Sequence, residues 1–356
     1  MQAVNRIYVR APNWVGDFVM ATAAFERLRR AFPAARITCA LRPYLRDLCG
    51  GATWFDDLID APKGVSLASL AGQARTLRGG GYDLAVILPN SFATALVPFL
   101  ARIPRRVGYR QGRPLLLTDG PRAPRGRPFW RRHGPRRVPE PMPGYYAKLL
   151  DGLGLPPGPD RPRLHLRAED RAEVDGFLRA RAIDPSRPLL LLTAGASYGA
   201  SKLWEPERFA AVARHFAGRG FSSIVLAGPA EVELAKRIAA MAGESAQAAV
   251  DPLLSLGGLK ALCARAGLMV TSDTGPRHVA LAFDVPIVCL MGPTDSRYTD
   301  YALEGQTVIQ RKDLACVPCQ RKVCPLGHHE CMKGIPVDRV IAAAEELLLR
   351  RPAPGR

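Results

Sequence analysis

Three charged side chains, each shortly past an apolar run of strand length, are the ones best placed for chemistry in this chain: Asp17, Lys202 and Asp273. Asp17 ends the segment Ala11-Pro12-Asn13-Trp14-Val15-Gly16-Asp17, at the start of a helical pattern. A carboxylate there can serve as a general base if a hydroxyl comes within hydrogen-bond reach. The same carboxylate can simply cap the helix. Lys202 lies in Thr193–Trp204, a small, polar segment, and can bring a mobile positive charge to a phosphate; a solvated lysine has the same sequence. Asp273 belongs to Ser272-Asp273-Thr274-Gly275-Pro276-Arg277-His278, where an apolar strand turns into a helix. Gly275 allows close backbone approach, and the free N–H groups of a helix start attract phosphate. An ordinary capped turn reads the same way, and His278 alone reads as a packed or solvated histidine. No Walker A or complete dinucleotide fingerprint is present.

A fourth cluster is Cys316-x2-Cys319-x4-Cys324-x6-Cys331, with His328 and His329 in its last gap. Four thiols so close in sequence can surround a tetrahedral zinc, although only the first pair has the usual ligand spacing. The alternative is a loop of reduced thiols.

The elements that must position these residues alternate between strand and helix. Strands are expected at Arg6–Arg10, Arg36–Leu41, Asp57–Asp60, Asp83–Leu88 and Arg105–Tyr109, with helices at Asp17–Ala31, Leu67–Leu77, Ser91–Arg102 and Tyr145–Leu150. The second half repeats the pattern, with strands at Leu189–Thr193, Ser222–Ala227, Leu268–Ser272 and Ile287–Met291. Its helices are expected at Glu207–Ala217, Glu231–Met241, Leu259–Ala266, from Arg277, and at Val337–Leu349. Such alternation builds parallel sheets, which bind ligands at the carboxyl ends of their strands. Gly120–Gly144 interrupts it with seven prolines and seven arginines, a basic loop. The proline- and glycine-rich Pro156–Pro162 marks a boundary. The division is an N-terminal Rossmann-like domain over 1–160 that includes the basic loop 120–144, a second over 161–335, and a C-terminal helix and tail over 336–356.

A length of 356 residues fits two domains, and 47% hydrophobic residues suffice for two cores. A net charge of +18 points to an anionic partner, whether nucleic acid, membrane surface or phosphorylated substrate. The N-terminus lacks a signal-peptide core and no run reaches a membrane span, so a cytoplasmic protein is expected. Eight cysteines in such a protein argue against a disulfide framework.

Taken together, Ala11–Asp17, Thr193–Trp204, Ser272–His278 with Gly292-Pro293-Thr294-Asp295, and Cys316–Met332 resemble the ADP-heptose:lipopolysaccharide heptosyltransferases of glycosyltransferase family 9. The string from Pro318-Cys319-Gln320 to Cys331-Met332 resembles the members that add the second heptose, and the similarity runs from Arg6 to about Leu349. It implies a GT-B fold, α/β with two Rossmann-like domains and the active site in the interdomain cleft. It implies inverting transfer of a heptose from ADP-heptose without a catalytic cofactor, leaving any zinc at the cysteines structural. The base carries over to Asp17, and Lys202 to the catalytic contact with the donor phosphates. Thr193, Asp273, Thr274, Gly275 and His278 carry over to the donor, and Glu231, with Glu233 nearby, to the adenosine ribose. The acceptor, a lipid A core bearing one heptose, falls to the N-terminal half, where Asn13, Trp14, Arg110 and Arg113 are the candidates. The arginines of the basic loop, with Phe129 and Trp130, would meet an anionic inner-membrane surface, making the enzyme peripheral on its cytoplasmic face. A GT-B-type sugar-nucleotide epimerase would share the architecture but turn over donor alone. A nucleic-acid-binding protein would share the charge, but 7% aromatic residues and no recognised module argue against it, and no nucleic acid is expected.

Overall fold

Runs such as Leu189-Leu190-Leu191-Leu192 and Ile287-Val288-Cys289-Leu290-Met291 have no polar alternation, and a strand of that kind must be covered on both faces. The computed structural model describes residues 4–61, 66–122, 138–195 and 198–350, and in it every residue of these two strands is buried. The chain divides into two units, residues 1–165 and 166–356.

The first unit holds a parallel sheet of β1 (Arg6–Arg10), β2 (Arg36–Leu41), β3 (Asp57–Asp60), β4 (Leu84–Ile87) and β5 (Arg105–Gly108), in the order β3-β2-β1-β4-β5. The order reverses direction between β1 and β4, so the carboxyl ends of those strands frame its crevice. The helices are α1 (Val15–Met20), α2 (Thr22–Ala31), α3 (Leu67–Gly79), α4 (Phe92–Leu100) and α5 (Met142–Asp151). The single helix expected over Asp17–Ala31 is two helices broken at Ala21. The Thr22 hydroxyl donates back to the Val19 carbonyl at 2.8 Å and accepts the Arg163 N–H, and this tertiary tie ends α1. One core cluster gathers Tyr8, Ala40, Ala85 and Ile87 with Leu70, Leu77, Ala95 and Leu117.

The second unit opens with α6 (Ala168–Ala180) and continues β6 (Leu189–Thr193), α7 (Pro206–Ala217), β7 (Ser222–Leu226), α8 (Val232–Ala242), β8 (Ala246–Ala248), α9 (Leu256–Ala264), β9 (Ala266–Ser272), α10 (Gly275–Leu281), β10 (Ile287–Met291), β11 (Gln306–Gln310), α11 (Glu330–Lys333) and α12 (Val337–Arg350). The sheet order is β11-β10-β9-β6-β7-β8, all parallel. This is the doubly wound nucleotide-binding order, with its switch point between β6 and β9. Leu190, Leu192, Val270, Val288 and Leu290 face the same core as Trp204, Phe209, Phe216 and Leu347. Thus α12 packs inside the second unit. Burying each such leucine or phenylalanine contributes about 1.5–3 kcal/mol.

The basic loop expected over 120–144 falls largely on residues 123–137, outside the described residues, together with Phe129 and Trp130.

Candidate active site

Strands β6 and β9 end side by side at the switch point, with Thr193 paired to Thr271, and the residues that follow them carry the charge. The chain after β6 forms a short 3-10 turn, Ala200–Lys202. It delivers Lys202, only 6% exposed, to Asp273 beyond β9. Lys202 Nζ donates to the Asp273 carboxylate at 2.7 Å and to its carbonyl at 2.6 Å, and lies 4.9 Å over the Tyr198 ring. Thr294, after β10, donates to the same carboxylate at 2.9 Å. Arg277, one turn into α10 and fully buried, donates to its other oxygen at 3.0 Å. The remaining Arg277 donors reach Gln306 Oε1 and Thr299. Burial alone would raise the Asp273 pKa, but the charges of Lys202 and Arg277 outweigh it and hold the carboxyl well below the ordinary range. Two cations therefore share one carboxylate, which leaves surplus positive charge at the carboxyl ends of β6 and β9.

Around this centre, His278 stacks 5.8 Å from Tyr301 and makes a 2.6 Å hydrogen bond through Nδ1 to its hydroxyl. Burial, reinforced by the Arg277 charge, pulls the His278 pKa down to about 3, so its ring is neutral at physiological pH. The Thr193 hydroxyl is buried and has no hydrogen-bond partner among the described residues. Thr274 is the N-cap of α10 without capping through its side chain, and its hydroxyl lies 3.3 Å from that of Thr271; Gly275 is the first helical residue. Glu231 sits at the start of α8, where its carboxylate accepts the Gly228 N–H at 3.0 Å. It occupies the space beside Gly195 at the end of β6, and a Cβ on Gly195 would fall 2.0 Å from Glu231 Cδ. Glu233 points to solvent instead.

In the first unit, Asp17 is the third residue of α1, whose N-cap is Trp14; the carboxylate does not cap the helix. It accepts a 3.4 Å hydrogen bond from the Tyr146 hydroxyl. Its neighbour in sequence, Asn13, is fixed by Arg10, which donates to its Oδ1 at 2.6 Å, and by the Tyr44 hydroxyl, which donates to its carbonyl. Trp14 is 63% exposed. Arg110 is half-buried, and its Nε has no hydrogen-bond partner among the described residues.

Arg113 is a correction. It was expected to meet an acceptor, but its guanidinium is buried and donates to the Tyr109 and Ser91 carbonyls, Thr94 and Asn90. It braces the ends of β4 and β5 internally. The four cysteines read as possible ligands of a structural zinc are Cys316, Cys319, Cys324 and Cys331. Among the described residues no group of three or more His, Cys, Asp or Glu side chains is placed to hold a metal ion. Cys331 turns inward against Gly292 and Met332, and burial, with the neighbouring thiols, pushes its pKa up to about 11. Cys324 goes the other way. Desolvation is outweighed by backbone N–H groups of His329, Leu326, Gly327 and His328 around its sulfur, and its pKa is lowered.

Arg277, Thr294 and Tyr146 were not anticipated. The i,i+4 spacing of Asp273 and Arg277 was the one available signal; the other two contacts join residues 21 and 129 apart.

The family model described as glycosyltransferase family 9 (heptosyltransferase) matches residues 71–330. The chain is 27% identical to lipooligosaccharide heptosyltransferase 2 of Haemophilus ducreyi, over 96% of its own length and 99% of the relative's. Among solved structures it resembles the Escherichia coli ADP-heptose LPS heptosyltransferase II, with 25% identity, a TM-score of 0.76 and coverage of 97% and 99% of the two chains. The fold is shared with a family 9 glycosyltransferase of Veillonella parvula at a TM-score of 0.84, 24% identity and 99% coverage of both chains.

Proposed function

This chain belongs to glycosyltransferase family 9, and on that premise we propose that it transfers a heptose from ADP-heptose onto heptosyl-Kdo2-lipid A in the lipopolysaccharide inner core. The observation that carries the donor half is the surplus positive charge at Lys202, Asp273 and Arg277, set where a doubly wound sheet binds nucleotides. Inversion takes one displacement. An acceptor oxygen bonds the anomeric carbon as the bond from that carbon to the donor phosphate breaks, and ADP leaves with the electron pair. Asp17 takes the acceptor hydroxyl proton. Lys202 meets the charge that grows on the departing diphosphate, the kind of preorganised stabilisation that dominates such steps. His278, uncharged, can offer a hydrogen bond there without adding charge.

The acceptor is a lipid, and the first unit has a surface suited to it. No helix among the described residues is long and apolar enough to cross a membrane. However, α4 carries no charge, and Phe92, Phe99 and Leu100 stand exposed on it. Its C-terminal end is ringed by arginines: Arg78 donates to the Leu100 carbonyl, Arg106 lies 5.4 Å over the Phe99 ring, and exposed Arg102 follows. Apolar side chains beside cations match an anionic bilayer surface, on which we place the enzyme as a peripheral protein.

The deciding experiment incubates the enzyme with ADP-heptose and vesicles bearing heptosyl-Kdo2-lipid A. The expected result is ADP release matched by an acceptor heavier by one heptose. Donor turnover without acceptor would instead favour an epimerase, and tighter binding to duplex DNA than to lipopolysaccharide core would favour a nucleic-acid partner. A second expectation concerns Gly195. Alanine there must displace the Glu231 carboxylate, a flexible side-chain end, so the protein still folds. Gly195→Ala should weaken ADP binding by roughly tenfold or more, the worth of a hydrogen bond to a charged group, as read by calorimetric titration.

A further inference from the structure

Among the described residues between β6 and α7, the segment that holds Lys202, the one regular element is the 3-10 turn Ala200–Lys202. Among the described residues, its hydrogen bonds to other parts of the chain reach largely into one place, residues 320–335, the cysteine-rich stretch and its exit. Tyr198 donates from its hydroxyl to the Gln320 carbonyl at 2.8 Å. Ser201 is held three ways: its N–H donates to Lys322 O at 3.0 Å, its hydroxyl to Arg321 O at 2.5 Å, and its carbonyl accepts from His329 Nε2 at 2.8 Å. Trp204 closes the set by donating from its indole to the Ile335 carbonyl at 3.0 Å.

The strap is itself anchored. The Gln320 N–H donates to the Pro293 carbonyl at 2.8 Å, and Cys331 and Met332 are buried under Gly292. Pro293 precedes Thr294, which donates to the same Asp273 carboxylate oxygen as Lys202. One segment thus frames both partners of the Lys202–Asp273 pair. His329 also sits in the left-handed region, with φ 57°, which is uncommon for a residue with a side chain. In that conformation its backbone N–H turns to the Cys324 sulfur and its ring to Ser201. Strain of this kind persists where the surroundings over-determine it.

We infer that the cysteine-rich strap is the positioning element of the donor-phosphate lysine, and that His329 is its key positioning residue, acting through Ser201. This rests on the reading that Lys202 faces the donor diphosphate. For a carbonyl acceptor, His329 Nε2 must carry the proton. Gly199 shows how close the strap lies: at φ 152°, a Cβ there would stand 2.4 Å from Lys322 O.

The test is ADP titration and donor KM against kcat for His329→Gly, which keeps the left-handed backbone and removes the donor, and His329→Gln, whose amide restores a donor at similar reach. His329→Gly is expected to weaken ADP binding and raise the donor KM about tenfold, with the Gln variant returning most of both. A merely structural role would lower the active fraction and leave both constants unchanged. Wild-type ADP affinity in His329→Gly, or a Gln variant no better than Gly, overturns the inference. Should His329→Gly fail to fold, Gly199→Ala pushes on Lys322 O, the strap's acceptor for the Ser201 N–H, and an unchanged ADP affinity there overturns it equally. Lys202→Met in parallel separates the two readings. If that variant binds ADP normally, the donor assignment of Lys202 fails; if it binds poorly while the strap variants bind normally, the strap inference alone fails.

Discussion

Asp17→Ala lowers turnover by on the order of 10²–10⁴-fold, the usual worth of a positioned base, while ADP binds as before. On the proposed reading, Asp17 abstracts a proton from the acceptor and has no part in holding the nucleotide. Asp17→Asn should lose nearly as much, because the amide keeps the Tyr146 hydrogen bond and the shape but cannot take a proton. Stability changes little. Asp17 lies in the first turn of a six-residue helix, and losing its favourable dipole contact costs about 0.3–1 kcal/mol. Steady-state rates over a pH series, with calorimetry for ADP, give both readouts. Near-normal turnover in either variant would remove Asp17 as the base.

Lys202→Met is expected to cost on the order of 10²–10³-fold in kcat, as the loss of one preorganised charge contact does, and to weaken ADP binding as well. The length and packing of the side chain are retained, so the change isolates the charge. The protein also loses stability, since an ion pair with both side chains about 10% exposed is broken. Arg277 and Thr294 still satisfy Asp273, which keeps that loss below the 3–5 kcal/mol seen when a buried charge is left alone. Lysine to arginine is not a gentle substitution here. A planar fork cannot reproduce the paired contacts of one ammonium to the carbonyl and carboxylate of Asp273. Turnover within threefold of wild type in Lys202→Met would remove the lysine from the donor site.

Much of the fold was legible because buried parallel strands are written as unbroken apolar runs. Arg6–Arg10, Arg36–Leu41, Leu189–Thr193 and Ile287–Met291 stand where those runs stand, and the short, only partly buried Asp57–Asp60 stands where it was expected. What escaped lay where that signal fades. β8 reads Ala-Gln-Ala and β11 Gln-Thr-Val-Ile-Gln, both at sheet edges where burial is partial. α6 is nearly half charged, so its apolar stripe of Val174, Phe177 and Leu178 is thin. Asp17, Lys202 and Asp273 each follow an apolar strand, where such sheets work, but position alone left a cap or a solvated lysine open, and the family resemblance supplied their roles. Their partners were not legible in the sequence. Lys202 and Asp273 are 71 residues apart, and no local pattern announces the pairing. Arg113 misled for the opposite reason: arginine suggests a surface, but enough carbonyls converge on this one to hold it inside.

The bond from Trp204 to Ile335 has a consequence for the order in which the protein can assemble. The two residues are 131 apart, and β6 must likewise wait for β9, which begins at Ala266, before its inner edge is paired. A ribosome adds roughly 5–20 residues per second, so the loop bearing Lys202 spends several seconds outside the exit tunnel before its anchor exists. During that interval the apolar strand Leu189–Thr193 is a half-made sheet, and the closure of so long a loop is slow. The strap over residues 320–335 is what frames the proposed donor lysine, so a chain stalled or clipped before it would retain the lysine and lack the frame that aims it.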